Sequence, residues 1–438
     1  MTAMDPFLIG ILSILAILVL IMAGVPIAYT LAGVGTLGMT MIVGFDGAVG
    51  HLASAAYGMS AQYTWAVAPL FVAIGSLAGM GGITNEAFDS AKVWLGRLPG
   101  GLAMATVAAS GAFAACCGST VANAAIFTPL VLPQMLKHGY DKQLAVGCIA
   151  ASGTFAAMIP PSIAMVVYSI ITREPLGKLL VAGIIPGLMT VAVYMISIYI
   201  RAVRKPHLVP AALEAADWGR KIRSLRGTGG ILFIFLVIMV GIYAGWFAPS
   251  AAGAAGACAT LILVAFRRKI TITGLVRVSL DTAQVTATLF LIIIGGTLFT
   301  RFWLVSGIVS KLGAFISGLS APPVVIVLLF VFGILILGCF LDPPSIMIIT
   351  LPLIHPIVVE MGYSGIWFGI IMMKAAEIGM ITPPGGMNSF VVHAASGGIV
   401  SLEDVFAGIT PFLVLELVTL AVLIAFPEIS LWLPNTMQ

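Results

Sequence analysis

Apolar runs of about 20 residues recur along this chain, divided by short polar breaks. A hydrocarbon core about 30 Å thick is crossed by about 20 helical residues, so each run reads as a membrane-spanning helix. The runs fall near 7–24, 26–45, 62–83, 144–171 and 179–200, then near 230–247, 250–266, 283–300, 365–392 and 403–426. Two further apolar stretches, 100–133 and 322–357, are interrupted midway, one by Gly118-Ser119-Thr120 and the other by Asp342-Pro343-Pro344. Their length suits a helix that enters the bilayer, turns inside it and leaves on the same side. Such re-entrant backbone is tolerated only where protein or a water-filled cavity covers it. The pattern predicts an all-α polytopic membrane protein.

Composition agrees. Of 438 residues, 61% are hydrophobic and 8% charged, where a soluble domain carries about 25% charged residues. So little charge cannot cover a water-soluble surface, which excludes a cytosolic enzyme, a nucleic-acid binder and a disordered chain. Cys116, Cys117, Cys148, Cys258 and Cys339 lie in apolar stretches without metal-ligand spacing to a histidine, and read as buried small hydrophobes. No basic stretch precedes the first run, so that run reads as a span and not as a cleaved signal. With the N-terminus outside, fifteen Lys and Arg residues fall inside, at 92–97, 137–142, 201–226 and 267–277. Arg173, Lys178, Arg301 and Lys311 fall outside. This bias obeys the positive-inside rule. Trp65, Trp94, Trp246 and Trp432, near span ends, read as interface anchors.

A duplication runs through the chain at an offset of 223 residues. Pro129 and Pro133 match Pro352 and Pro356, Gly139-Tyr140 matches Gly362-Tyr363, and Pro160-Pro161 matches Pro383-Pro384. Cys116 matches Cys339, Ser119 matches Asp342, Pro26 matches Pro249 and Gly33 matches Gly256. A series of pairs in one register points to two copies of one unit, each with about five spans and one re-entrant hairpin. An odd number of crossings inverts the second copy. The expected organisation is repeat 1 over 1–200, a charged cytoplasmic linker over 201–229 and repeat 2 over 230–438. Inverted-topology repeats with broken helices near the midplane characterise secondary transporters. Among motifs for intramembrane chemistry, neither His-Glu-x-x-His nor Gly-x-Ser-x-Gly occurs, so no enzyme is expected.

Several motifs carry a resemblance to a known family: Leu98-Pro-Gly-Gly-Leu102, Gly118-Ser-Thr-Val-Ala-Asn123, Gly139-Tyr-Asp141, Met158-Ile-Pro-Pro-Ser162, Ala182-Gly-Ile-Ile-Pro-Gly187, Asp342-Pro343 and Glu377-Ile-Gly-Met-Ile-Thr-Pro-Pro-Gly-Gly-Met-Asn388. With these the chain resembles the large membrane subunit of tripartite ATP-independent periplasmic (TRAP) transporters, the DctM-like and SiaM-like permeases, over essentially its whole length. Gly386 departs from the Val-Gly usual there, and Cys117 from a common Ser. The resemblance implies an elevator fold of the ion-transporter superfamily in the bacterial inner membrane. It further implies import of an organic acid, such as sialic acid or a C4-dicarboxylate, driven by Na⁺. The implied partners are a small four-helix membrane subunit, expected here as a separate polypeptide, and a periplasmic substrate-binding protein. A stand-alone ion-coupled carboxylate transporter of the same architecture is the alternative.

Proline cannot donate to the carbonyl four residues earlier. Pro160 and Pro161 therefore free the carbonyls of Ala156 and Ala157, and Pro383 and Pro384 those of Gly379 and Met380. Half-helix C-termini with free carbonyls suit a hard cation, and at least two Na⁺ sites are expected. The first takes Cys117, Gly118 and Ser119 with Ala156, Ile159 and Pro161. The second takes Gly338 and Asp342 with Gly379, Thr382 and Gly385. Half-helix N-termini suit a carboxylate, and Asn123, Ser162, Ser345 and Asn388 are the polar side chains best placed to frame it. Lys374, an intramembrane charge, is a further substrate candidate, with pairing to Glu377 on the same helix as the alternative.

Overall fold

The computed structural model describes residues 5–209, 217–318 and 321–437, and these form helices and the turns between them. Part of the expected linker, residues 210–216, lies outside the described residues. Among the described residues eight helices are long and apolar enough to cross a membrane. A ninth is the bent pair Val67–Met80 and Ile83–Leu95, which turns by 65°. Hydropathy alone suggested ten spans. The difference lies in three helices: Pro6–Met22 has 17 residues, Gly365–Ile381, also 17, stops short of Pro383-Pro384, and Pro343–Glu360, expected as one arm of a hairpin, is among the eight. Large apolar side chains such as Leu37, Phe45, Leu236, Ile262 and Val418 face outward, as they do on helices bathed in lipid. The chain is a multi-pass membrane protein.

Two helices run beyond their expected bounds. Ile27–Ser60 has 34 residues and Ile272–Ser306 has 35. The first bends at Gly44, whose φ of 81° is open to glycine. These helices cross through small residues. A methyl at Gly35 would lie 3.0 Å from the Phe299 backbone, and one at Gly295 would lie 2.6 Å from the Ala28 carbonyl oxygen. Glycine at such points lets membrane helices approach closely. Leu31, Val34, Met39, Phe299, Phe302 and Trp303 pack around the crossing with Ile9 and Ile17, in a cluster separate from the main core.

The main core is built from two hairpins and two broken helices. The first hairpin is Gly101–Cys117 with Thr120–Lys137, and the second is Pro323–Gly338 with Pro343–Glu360. A broken helix follows each. One runs Lys142–Gly153, Phe155–Met158, then Ile163–Thr172; the other runs Gly365–Ile381, then Met387–Ala395. Thr120 and Pro343 start matching half-helices 223 positions apart, and so do Lys142 and Gly365. Ile184–Arg204 and Leu402–Ala425 close the core.

The two halves interlock. A methyl at Gly147 would fall 2.1 Å from the Gly408 carbonyl oxygen. The Tyr168 hydroxyl donates to the Gly365 carbonyl at 2.6 Å, and the Thr120 hydroxyl to the Glu377 carboxylate at 2.8 Å. Two expectations need correction here. Trp65 is no interface anchor: it is 1% exposed and packs against Phe290 with ring centroids 6.0 Å apart. Cys258 faces outward while the other four cysteines are buried, because Pro249–Phe266 is covered on one face only, through Gly253 and Gly256.

Gly295→Val is expected to destabilise by about 1–3 kcal/mol through overpacking at the crossing. Gly33→Ala, with open space around it, is expected to be neutral or slightly stabilising. Thermal unfolding of the detergent-solubilised protein reads both, and equal melting temperatures would show that the crossing is not close-packed.

Candidate functional site

Both hairpins turn over on local chemistry. Gly118 caps Gly101–Cys117 with φ 61°, and Ser119 then caps Thr120–Lys137 by accepting the Ala122 N–H at 3.4 Å. In the second hairpin Asp342 sits at the cap, and Pro343 and Pro344 open the helix, where their missing N–H groups cost nothing. The broken helices stop as proline demands. Ile159 and Thr382, close before the Pro-Pro pairs, are extended, with ψ of 119° and 130°. Pro160-Pro161 and Pro383-Pro384 are both joined by cis bonds.

Each hairpin tip is seated on the break of the broken helix that follows it. The Ile163 N–H donates to the Gly118 carbonyl at 3.4 Å, and a methyl at Gly118 would lie 2.8 Å from the Pro161 carbonyl oxygen. In the second half a methyl at Gly385 would lie 1.8 Å from the Cys339 carbonyl oxygen, and one at Gly338 would lie 2.8 Å from the Gly379 Cα. Of the residues expected for the cation sites, Gly118 is thus brought against Pro161 and Gly338 against Gly379, while Gly385 meets Cys339, which was not among them. Their availability differs from expectation in detail. The Gly379 carbonyl accepts the Thr382 N–H at 2.9 Å and the Gly118 carbonyl accepts Ile163, so each keeps one lone pair and not two. The Cys117 thiol is turned to the Ser119 carbonyl at 3.6 Å, and the Thr382 hydroxyl to the Ile378 carbonyl at 2.6 Å.

A cavity of about 360 Å³ lies where the two halves meet. Gly118, Ser119 and Thr120 line it from the first tip, and Asp342, Pro343 and Pro344 from the second. Glu377 joins them, and Gln284 and Thr288 face them from the long helix Ile272–Ser306. Glu377 is 1% exposed. One of its carboxyl oxygens accepts the Thr120 hydroxyl at 2.8 Å, and the other has no partner among the described residues. Asp342 accepts a hydrogen bond from the Ser345 hydroxyl. Two carboxyl groups and no Lys or Arg line this cavity among the described residues.

The profile of one family, described as "Tripartite ATP-independent periplasmic transporter, DctM component", matches residues 14–429. The chain belongs to this DctM family of TRAP transporters. It is 34% identical over 399 residues to the C4-dicarboxylate TRAP transporter large permease protein DctM of Pseudomonas aeruginosa, covering 91% of this chain and 92% of that one. It is 28% identical over 426 residues to the sialic acid TRAP transporter large permease protein SiaM of Vibrio cholerae, covering 97% and 98%. The crystal structure of the Alcanivorax borkumensis YdaH transporter, reported to reveal an unusual topology, superposes with a TM-score of 0.60. It is 14% identical, over 97% of this chain and 98% of that one, a likeness of fold alone. The family is one of transporter permeases, not enzymes.

None of the remaining candidates in this DctM-type permease, Asn123, Ser162, Ser345, Asn388 and Lys374, is among the residues that line the cavity. Asn123 is fully buried and exchanges hydrogen bonds with Ser110, to its hydroxyl at 3.1 Å and its carbonyl at 3.3 Å. Asn388 donates to the Ala150 carbonyl of the other half, and its own oxygen has no partner among the described residues. Ser162 caps Ile163–Thr172 by accepting the Met165 N–H at 3.4 Å. Lys374 does not line the cavity and does not pair with Glu377. Its ammonium pairs with Glu416 and donates to the Thr190 hydroxyl at 2.9 Å, and the Tyr194 hydroxyl donates to the same carboxylate. Sequence reasoning missed Glu416, although an acidic residue deep in the apolar span Leu402–Ala425 is itself a signal. Gln284 and Thr288 carry no such signal.

Lys374→Met is expected to cost about 3–5 kcal/mol, because it strands the Glu416 carboxylate. Lys374→Met with Glu416→Met should recover most of that loss. Thermal melting of both variants in detergent reads the coupling, and identical melting temperatures would show that no ion pair operates here.

Proposed function

We propose that this chain is the large membrane subunit of a Na⁺-coupled TRAP transporter that imports an organic acid by an elevator movement. Its cargo is a carboxylate such as a sialic acid or a C4-dicarboxylate, matching what the names of its relatives state for them. It works with a small four-helix membrane subunit and a periplasmic binding protein in the bacterial inner membrane, its N-terminus outside. Its two halves, 1–200 and 230–438, are inverted repeats. The hairpins and broken helices form the moving body, and the crossed helices Ile27–Ser60 and Ile272–Ser306 belong to the fixed wall.

One observation carries this reading: both hairpin tips, both helix breaks and Glu377 converge on a single cavity. The half-helices Thr120–Lys137 and Pro343–Glu360 begin there, and helix N-termini suit a carboxylate. When ionised, Asp342 and Glu377 make the same cavity unfavourable for an anion arriving alone. A cation entering with the substrate removes that repulsion, which is a physical reason for coupling. Na⁺, as co-transported cargo, finds oxygen donors of the kind hard cations prefer. Ser119, Ala156, Ile159 and Pro161 offer them beside the first tip, and Gly338, Asp342, Thr382 and Gly385 beside the second.

Uptake in proteoliposomes is expected to need an inward Na⁺ gradient, the small subunit and the loaded binding protein. Full-rate uptake by this chain alone would overturn the tripartite assignment. Asp342→Ala and Thr382→Ala are each expected to raise the Na⁺ concentration for half-maximal uptake about tenfold, the loss of one charge-assisted ligand. An unchanged Na⁺ dependence in both would mean that the second cation site lies elsewhere.

A further inference from the structure

A second cavity, of about 560 Å³, opens toward the opposite end of Ile272–Ser306 from Gln284. Trp65, Ser169, Arg173, Thr297, Thr300 and Arg301 are in its wall. On that helix the first cavity is lined from Gln284 to Ile292 and the second from Ile293 to Arg301, so the two occupy successive stretches of one helix. Their chemistry is opposite. The first presents carboxyl groups, and the second presents donors.

Part of this donor capacity is unspent. Trp65 is 1% exposed, lines the cavity, and its indole N–H has no partner among the described residues. A buried donor without an acceptor is rare and costly. Arg173 forms no ion pair among the described residues. It is also held at φ 62°, a conformation that non-glycine residues seldom adopt. Arg301 donates to the His51 carbonyl at 3.1 Å and the Ser54 hydroxyl at 2.6 Å, which leaves further guanidinium N–H groups free. The single carboxylate in the wall, Glu174, is turned to His355 at 3.3 Å. Two guanidinium groups and an indole N–H around one space form a receptor for a small carboxylate.

We propose that this cavity is an anion-receiving vestibule. It holds the carboxylate of the organic acid on the outer side, after delivery and before the substrate reaches the hairpin tips. The direction of travel rests on the import reading above; the anion chemistry does not. Because the walls come both from the core (Ser169, Arg173) and from Ile272–Ser306, a bound carboxylate bridges the moving body and the fixed wall.

The test uses the assembled transporter carrying Thr297→Cys, with Cys258→Ser to remove the exposed thiol, and a membrane-impermeant maleimide. Succinate is expected to slow labelling of residue 297, and choline to leave it unchanged. Arg173→Gln with Arg301→Gln should raise the protecting succinate concentration about tenfold or more. Arg173→Lys with Arg301→Lys, which keeps both charges, should retain most protection and so separates lost charge from lost folding. Absence of protection, or equal protection in the glutamine variant, overturns the vestibule. So does protection by phosphatidylglycerol nanodiscs alone with no further effect of succinate, which assigns the site to a lipid headgroup. Uptake measured on the same preparations keeps the two ideas apart. Na⁺-driven uptake without protection sinks the vestibule alone, while protection without uptake supports the anion site and sinks the import reading.

Discussion

The fold depends on the contact between each hairpin tip and the helix break beside it. A helix broken inside an apolar setting exposes carbonyls that no lipid can satisfy. In both halves the tip of the preceding hairpin lies against the break, backbone on backbone. Gly118 meets Pro161, and Gly385 meets Cys339, at distances that admit no side chain. Glycine is required at these points for two separate reasons: Gly118 has a positive φ, and Gly385 has no room for a Cβ.

Buried polar groups divide into two kinds. Lys374, Glu416, Tyr194 and Thr190 meet one another, so charge is balanced within the protein. Such a cluster holds three helices in register and offers little to a ligand. Glu377 is different. It spends one oxygen on Thr120 across the two halves and leaves the other unpartnered at the cavity wall. An incompletely satisfied carboxyl group in a membrane protein is costly to keep and marks a place of exchange. Trp65, with its unpartnered N–H, marks the other cavity in the same way.

Much of this architecture was legible before folding. Gly118-Ser119 and Asp342-Pro343-Pro344 end one helix and begin another by local rules of capping and proline sterics, so both hairpins could be placed to within a few residues. The Pro-Pro pairs marked both breaks for the same reason. The long helices were legible only in part. Residues 46–60 and 272–282 extend them beyond the apolar run, and their polar composition hides them from a hydropathy reading.

The sequence by itself determined the membrane class, the offset of 223 residues, the turns and the breaks, because each follows from composition or from the stereochemistry of a few adjacent residues. Only the tertiary structure decided which distant groups meet. Lys374 took Glu416 from another helix and not Glu377 three residues away, Trp65 turned inward from a span end, and Arg173 and Arg301 came to line one cavity. Those outcomes rest on the rotation of each helix about its axis and on its depth beside its neighbours. Packing of the whole chain sets both, and no local run of residues encodes them.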